Sequence, residues 1–448
     1  MTVSAVSRDT EAYAAAFEEI AGGARARAEA PWIRKLRSDA FTRFQELGFP
    51  APDDEAWKYT SVTPITRTEW RIAPPEPRGH RSPTIPLDLS ASMRLVFVNG
   101  RLSMELSSDL GALPDGVELA SMAAVLRDHP DWLQPFLGRC ASSEKSALTA
   151  WNTAFFEDGA FVRIRRDAAL REPVELVFVA ESEPGAGPFV SHLRNLIVAD
   201  PHSEASVVET YVGDGLSLTN AVTEIALETG SSLHHYKVQR ESLQAVHLQT
   251  IAATASPSSR YTSHNVALGS SLARTEIGVV LDGAGAECEL NGLFVGGGSQ
   301  HLDTHTTIDH AKPHGSSREL YKGILDGRAR GVFHGTILVR KDAQKTDAMQ
   351  TNRNLLLSKE ALVNSTPALE IFADDVKCRH GSTIGQLDEA AMFYLLSRGI
   401  GEEDARAILT WAFAEDVVRR IRIPQIRAGV EAALGLRLPG ADIAAATP

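Results

Sequence analysis

Two short stretches of the 448-residue sequence carry side chains able to do chemistry. In Gln300-His301-Leu302-Asp303-Thr304-His305, the residues His301, Asp303 and His305 share one face of a strand, because side chains alternate with period two. Two imidazoles and a carboxylate so placed suit a transition metal, and His310 and His314 follow closely. A polar ladder on the outside of a β structure, or histidines bonded in turns, gives the same spacing. In Asp374-Asp375-Val376-Lys377-Cys378-Arg379-His380-Gly381, Cys378 and His380 also share a strand face, with Cα atoms about 6.5–7 Å apart. A thiolate beside a neutral imidazole can ligate iron. A buried cysteine next to a structural histidine is the commoner arrangement. Lys377 and Arg379 are cations that favour a thiolate, although on a strand they project to the opposite face.

The cysteine inventory limits this chemistry. Cys140, Cys288 and Cys378 are odd in number and far apart, which argues against a secreted disulfide framework. An all-thiolate iron–sulfur cluster needs four cysteines, and this chain has three and no C-x-x-C pair. A cluster bound at Cys378 therefore needs ligands from a second subunit or a small molecule. No G-x-x-x-x-G-K-[ST] loop and no G-x-S-x-G elbow is present, so nucleotide energy has to come from another chain. The glycines at 283–285 and 296–298 read as turns without a following helix, which argues against a dinucleotide site. A net charge of −12 disfavours binding to nucleic acid or anionic membrane through overall charge. No run approaches the roughly 20 apolar residues of a membrane span. The N-terminus lacks a basic-then-apolar leader, and the early Glu11, Glu18 and Glu19 do not suit a transit peptide. A cytoplasmic location is expected.

The elements that position these residues fall into regions of different composition. Trp32, Trp57, Trp70, Trp132 and Trp151 lie in the first third and Trp411 near the end, with none between, whereas ten of the fourteen histidines fall between His234 and His380. Such a split indicates regions with different packing. From Thr10 to about Leu47, Ile33, Leu36, Phe41 and Phe44 recur at helical spacing, ending at Gly48 with Pro50 and Pro52 beyond. A proline-rich connector from Pro74 to Pro86 leads to a strand near Leu95–Val98, and a helix is predicted near Ser143–Phe156.

From about Ala160 to Ile384 short strand-like runs alternate with Gly, Ser, Pro and Asp turns. Ala205, Ser232, Ser259 and Ala286 each open a run 27 residues after the last, and the spacing breaks near Gly315 and Gly327. A helix-free repeat of that length favours a β-solenoid over a sandwich or a propeller. The predicted organisation is an N-terminal helical domain and connector (1–90), a mixed transition (91–159), a β core (160–385) and a C-terminal helical domain (386–448). In the last, Glu389–Arg398 ends at Gly399, and a second helix opens on Glu402, Glu403 and Asp404, acids that suit the positive end of its dipole. Leu409, Phe413, Val417 and Ile421 form one apolar stripe, able either to cover the solenoid or to dock a partner.

The residues around Cys378 also carry a resemblance. The run Ala373–Asp388, the stretch Met392–Ile400, Tyr321–Leu325, Ala343–Asp347, Asn354–Ser358 and Cys288–Gly292 are similar to the SufB/SufD family of the SUF iron–sulfur cluster assembly system, over roughly Ala150 to Ile421. Leu47–Pro50 and Glu55-Ala56-Trp57-Lys58-Tyr59-Thr60 resemble the SufD branch rather than SufB, and the low cysteine content agrees. The resemblance implies a mainly β protein, a right-handed parallel β-helix flanked by N- and C-terminal α-helical domains. It implies a non-catalytic subunit that pairs with SufB and with the ATPase SufC, or forms a homodimer when isolated. It places a nascent Fe-S cluster, transient and shared with SufB, at the SufB–SufD interface, with His380 as ligand and Cys378 as secondary ligand or sulfur acceptor. SufC motion would open that interface. Reduced flavin (FADH2) is a further cofactor to consider on the complex, with none held tightly by this chain alone. The C-terminal stripe (Leu409, Phe413, Val417, Ile421) becomes the SufC docking surface. The usual motif reads Lys-Cys-Ser-His-Gly-Ala-Thr, so Arg379 and Ser382 depart from it, and Arg379 puts a charge beside the expected ligand.

Two other readings have distinct consequences. A SufB-like scaffold would hold a cluster by itself. A stand-alone β-helix polysaccharide lyase or metal-dependent hydrolase would use His301, Asp303 and His305, and would carry stoichiometric metal.

Overall fold

The computed structural model describes residues 6–23, 28–51, 53–73, 89, 93–182, 185 and 187–435. The connector Pro74–Pro86 lies outside them.

Strands rich in Val, Ile, Thr and aromatics run from Ala160 to Gly385, and each pairs in parallel with the strand two along the chain. Two ten-stranded sheets result, facing each other as the walls of a β-solenoid, with two strands per coil. The repeat is slightly longer than the junction spacing suggests. Ser232 pairs with Glu204 and Arg260 with Ser232, each at 28 residues. Glu287 pairs with Arg260 at 27, Ser316 with Glu287 at 29, and Asp347 with Ser316 at 31. Backbone hydrogen bonds fix the register of the strands, and turns of unequal length absorb the remainder. The glycine turns belong to this stacking: a Cβ on Gly283 would stand 2.0 Å from the backbone nitrogen of Pro257 in the preceding coil. The segments at 282–286 and 297–300 lead into strands, with no helix to receive a dinucleotide phosphate.

Alternation decides what each strand buries. The inward positions of the early coils, such as Val207, Leu233, Tyr261, Cys288 and Ile308, form one apolar column. Several inward positions are instead charged and paired. Glu209 accepts from Tyr211, Thr223 and Gln249, with His235 at 3.2 Å. Glu241 lies 2.8 Å from His247. Burial brings the Lys237 amine down to about 7, against the pull of both carboxylates.

The helices cover outward faces. Helices Val6–Gly22, Pro31–Leu47 and Ala147–Phe155 pack Phe17, Phe41, Phe44 and Trp151, joined by Trp57 and Trp70 of the segment after Leu47, against the outward Val190, Leu218, Val246 and Leu272 of the first coils. Strands there are buried on both faces, as in Phe189–Ala199 and Ser217–Leu227. Trp32 and Trp132 line a neighbouring cluster, so the tryptophan-rich third is the part that wraps the solenoid.

At the other end, helices Glu402–Val418 and Pro424–Gly435 lie along the outward face of the second sheet, burying Val417, Val418, Ile421, Ile426 and Val430 against Tyr236, Val266, Leu293, Ile324 and Leu355. This corrects the docking expectation for the C-terminal stripe. Val417 and Ile421 are each 1% exposed, Leu409 and Phe413 are half-buried, and the Lys322 ammonium stands 4.6 Å over the Phe413 ring. Helical periodicity reports that a stripe needs cover, not which surface supplies it. Here the chain's own sheet does.

Candidate functional site

Nothing among the described residues covers the far end of the solenoid. The last strand of one sheet is Leu362–Ile371 and of the other Lys377–Gly385, and neither has a partner on its outer side. Pro367 removes one donor from the first edge, the usual way an edge strand is blunted. Lys377–Gly385 contains no proline and presents an open row of backbone donors and acceptors. Around these edges Leu362, Ile371, Phe372 and Ile384 are exposed, Phe372 to 63%. The following helix Glu389–Ser397, N-capped by Asp388, buries none of its residues and exposes Phe393, Tyr394 and Leu396.

Cys378 and His380 sit on this edge strand. Cys378 pairs in register with the buried Ala348 and joins Ile337, Val339 and Ala373, so it points inward. His380, two residues on, shares that face and is exposed only because no further coil follows. Burial raises the Cys378 thiol above its ordinary value, with Asp347 adding to the effect. It is therefore a thiol, not a thiolate, in the free chain. Lys377 and Arg379 do not counter this, because both project outward; Arg379 stands in register with Met349, away from the His380 face. Ser382, the other departure from the usual motif, points inward. Its hydroxyl lies 2.7 Å from that of Ser365 across the solenoid, and Ser365 donates to Asn352 at 2.7 Å.

Behind His380 stand two residues that spacing did not single out. Gln350 and Glu319 occupy its register position on the two preceding strands, both buried, and Gln350 Nε2 donates to Glu319 at 2.7 Å. Burial pushes the Glu319 carboxyl up to about 7. The signal for them was polar side chains on the inward period of their strands, where Asn352 and Asn354 also lie.

The second candidate cluster is committed elsewhere. Asp303 faces outward, buried, 2.5 Å from the Arg274 guanidinium and 3.0 Å from His305 Nε2. The Thr60 hydroxyl donates to Asp303 at 2.6 Å, so its 2.9 Å contact with His301 Nε2 makes that nitrogen the donor. Arg274 lies 3.8 Å over the Trp57 ring. These side chains clamp the segment Asp54–Thr60 onto the solenoid, and no described group of three His, Cys, Asp or Glu is arranged to hold a metal ion. His310 is on the inward face, bonded to Ser317 at 2.9 Å. The metal expectation for His301, Asp303 and His305 is thereby corrected: the shared face exists, but an arginine occupies the place of a metal. The metal-dependent hydrolase reading loses its residues.

The clamp has a pH signature. Burial by itself would raise the Asp303 carboxyl, but Arg274, with His305 and Thr60, outweighs it and holds the group well below the usual carboxylate range. A depressed carboxyl stabilises the fold above its unfolded value, and the contribution is lost as pH falls through the folded one. Docking of Asp54–Thr60 should thus persist at mildly acidic pH. Asp303→Asn should loosen it at neutral pH, raising amide exchange over residues 54–60 by at least about tenfold, because Thr60 loses its charged acceptor and Arg274 keeps Glu276 alone as counter-charge. Unchanged exchange would contradict the clamp.

The family described as SUF system FeS cluster assembly, SufBD core domain, matches residues 179–413, and the SufBD protein N-terminal region matches residues 8–176. An iron–sulfur cluster assembly SufBD family protein of Synechocystis is 31% identical over 411 residues, covering 87% of this chain and 88% of its own. The iron–sulfur cluster assembly protein SufD of Escherichia coli is 30% identical over 401 residues, covering 88% and 90%. That of Bacillus subtilis is 25% identical over 410 residues, covering 89% and 92%.

Proposed function

This chain belongs to the SufBD family of iron–sulfur cluster assembly proteins and is SufD-like, and from that premise we propose that its open solenoid end is one half of a cluster-building interface. The observation that carries this is the placement of His380 and Cys378 on the inward face of an unpaired edge strand, at an end that no helix among the described residues covers. The other half is the matching end of a SufB chain. An edge with a full row of free backbone groups, ringed by exposed apolar side chains, is suited to strand addition. Closing it would bury His380 and supply the ligands that three cysteines cannot.

The nascent cluster is cargo in this scheme. His380 contributes a neutral imidazole to iron. Cys378, a thiol in the open chain, becomes a ligand or sulfur acceptor when a nearby iron lowers its pKa. The chain performs no catalysis of its own. ATP hydrolysis falls to a SufC chain, docked on the C-terminal helical region through surface other than the buried stripe. Phe393, Tyr394 and Leu396 supply exposed apolar area there. Work done at those helices, next in sequence to the edge strand, would open and close the interface. Among the described residues no helix is long and apolar enough to cross a membrane, and the cytoplasm is the proposed location.

Co-expression with the SufB and SufC chains of the same organism should yield a complex on affinity purification through this chain. Failure to recover either partner overturns the reading. Phe372→Asp, which places a charge beside the open end, should weaken the SufB association by at least about tenfold, the loss of one interface anchor.

A further inference from the structure

Gln350 is buried to 1% exposure, and its amide is held on one side only. Nε2 donates to Glu319 Oε2 at 2.7 Å, while Oε1 has no hydrogen-bond partner. A buried acceptor without a donor is destabilising. The amide is also confined by packing: a Cβ built on Gly335, across the solenoid, would stand 2.3 Å from Gln350 Nε2 and 2.8 Å from the Phe333 ring. Glycine at 335 thus leaves the slot the amide fills. The donor that Oε1 lacks is one strand away. His380 is the register partner of Gln350, on the same inward face, and is exposed. Adjacent strands lie about 4.8 Å apart, within reach of a ring N–H turned toward the amide.

We propose that Gln350 is a positioning residue for His380: its Oε1 accepts one imidazole N–H, Glu319 and Gly335 hold the amide in that orientation, and the other ring nitrogen is presented to iron. Metal-binding imidazoles commonly donate their second N–H to a carbonyl or carboxylate, which fixes the tautomer and raises ligand basicity. A glutamine held from behind supplies the same restraint before any iron arrives. The ligand part of the inference rests on the function proposed above; the hydrogen bond does not.

The test therefore reads the bond in the full-length chain without cluster. Nitrogen NMR of histidine-labelled protein, with the His380 signals identified by their loss in His380→Ala, gives the ratio of the two neutral tautomers. Gln350→Met keeps volume and removes the acceptor, and should change that ratio about fivefold, the equivalent of a hydrogen bond worth about 1 kcal/mol. Gly335→Ala, which crowds the amide, should shift it in the same direction. Thermal unfolding of each variant shows that the fold is retained. An unchanged ratio in a folded Gln350→Met overturns the proposal. On the assembled complex, Gln350→Met should lower cluster accumulation by at least about tenfold, as loss of an outer-shell partner does. A shifted ratio with unchanged cluster upholds the bond and overturns its positioning role. Cluster formation that survives His380→Ala instead defeats the ligand assignment, a result distinct from either.

Discussion

Replacing His380 with Ala should leave the complex with its partners at normal yield and size while cutting the cluster it accumulates by tenfold or more. The side chain is exposed and sits on a strand held by a backbone ladder to Asp347–Leu356. Its removal therefore disturbs neither packing nor pairing, and a surface change of this kind costs within about 0.5 kcal/mol. What it removes is the imidazole proposed as the iron ligand on the inward face of the open end. Iron and acid-labile sulfide per complex, with visible absorbance, measure the outcome. Unchanged cluster in an intact complex would end the ligand assignment. Cys378→Ala is the useful companion. It also trims a half-buried contact with Ala348 and Val339, so a fall in cluster there has to be read beside thermal stability.

Glu224→Ala should cost about 3–5 kcal/mol of stability, because it leaves the Arg194 guanidinium buried without its counter-charge. Both side chains are fully buried. Arg194 donates twice to Glu224 Oε1, at 2.5 and 3.1 Å, and also reaches Asn152 and Thr153 in the helix Ala147–Phe155. The same carboxylate accepts the backbone N–H groups of Gly138, Cys140 and Ala141 at 2.8–3.1 Å. One residue thus ties the loop before the helix, the helix itself and two solenoid strands together. Its loss should expose Cys140, which burial first and then Glu224 keep protonated, with the thiol raised to about 11. Urea unfolding should show a lower midpoint, and Cys140 should become reactive to a thiol reagent at denaturant concentrations that leave the wild type inert. A midpoint within error of the wild type would mean that the pair carries no net stabilisation.

The alternation around Cys378 and His380 was legible because period two is a local property. Two residues on one strand share a face whatever surrounds them, and the structure keeps that pair together. The helix beginning at Glu402 was legible for a related reason, since acids in a first turn act within one turn of chain. From Glu204 to Glu287 the quasi-repeat was legible to within a residue, whereas the later coils lengthen to 29 and 31. Its register was not, because hydrogen bonds between coils set it and turn sequences only follow.

The sequence by itself determined the fold class, the split between helical ends and a strand-only middle, the family resemblance, and a count of three cysteines, one short of an all-thiolate cluster. Those properties follow from local periodicity, composition and counting. Only the tertiary structure decided what covers each face. It turned His301, Asp303 and His305 into a clamp on Thr60, because Arg274 arrives from the neighbouring strand. It spent the stripe through Val417 and Ile421 on the chain's own sheet, and it left the edge strand of Cys378 and His380 bare. It also brought Glu319 and Gln350 into line behind His380 from positions some 30 and 61 residues away. Contacts at that separation depend on which coil stacks on which. A stacked solenoid sets them by register, and a pattern along one strand does not encode it.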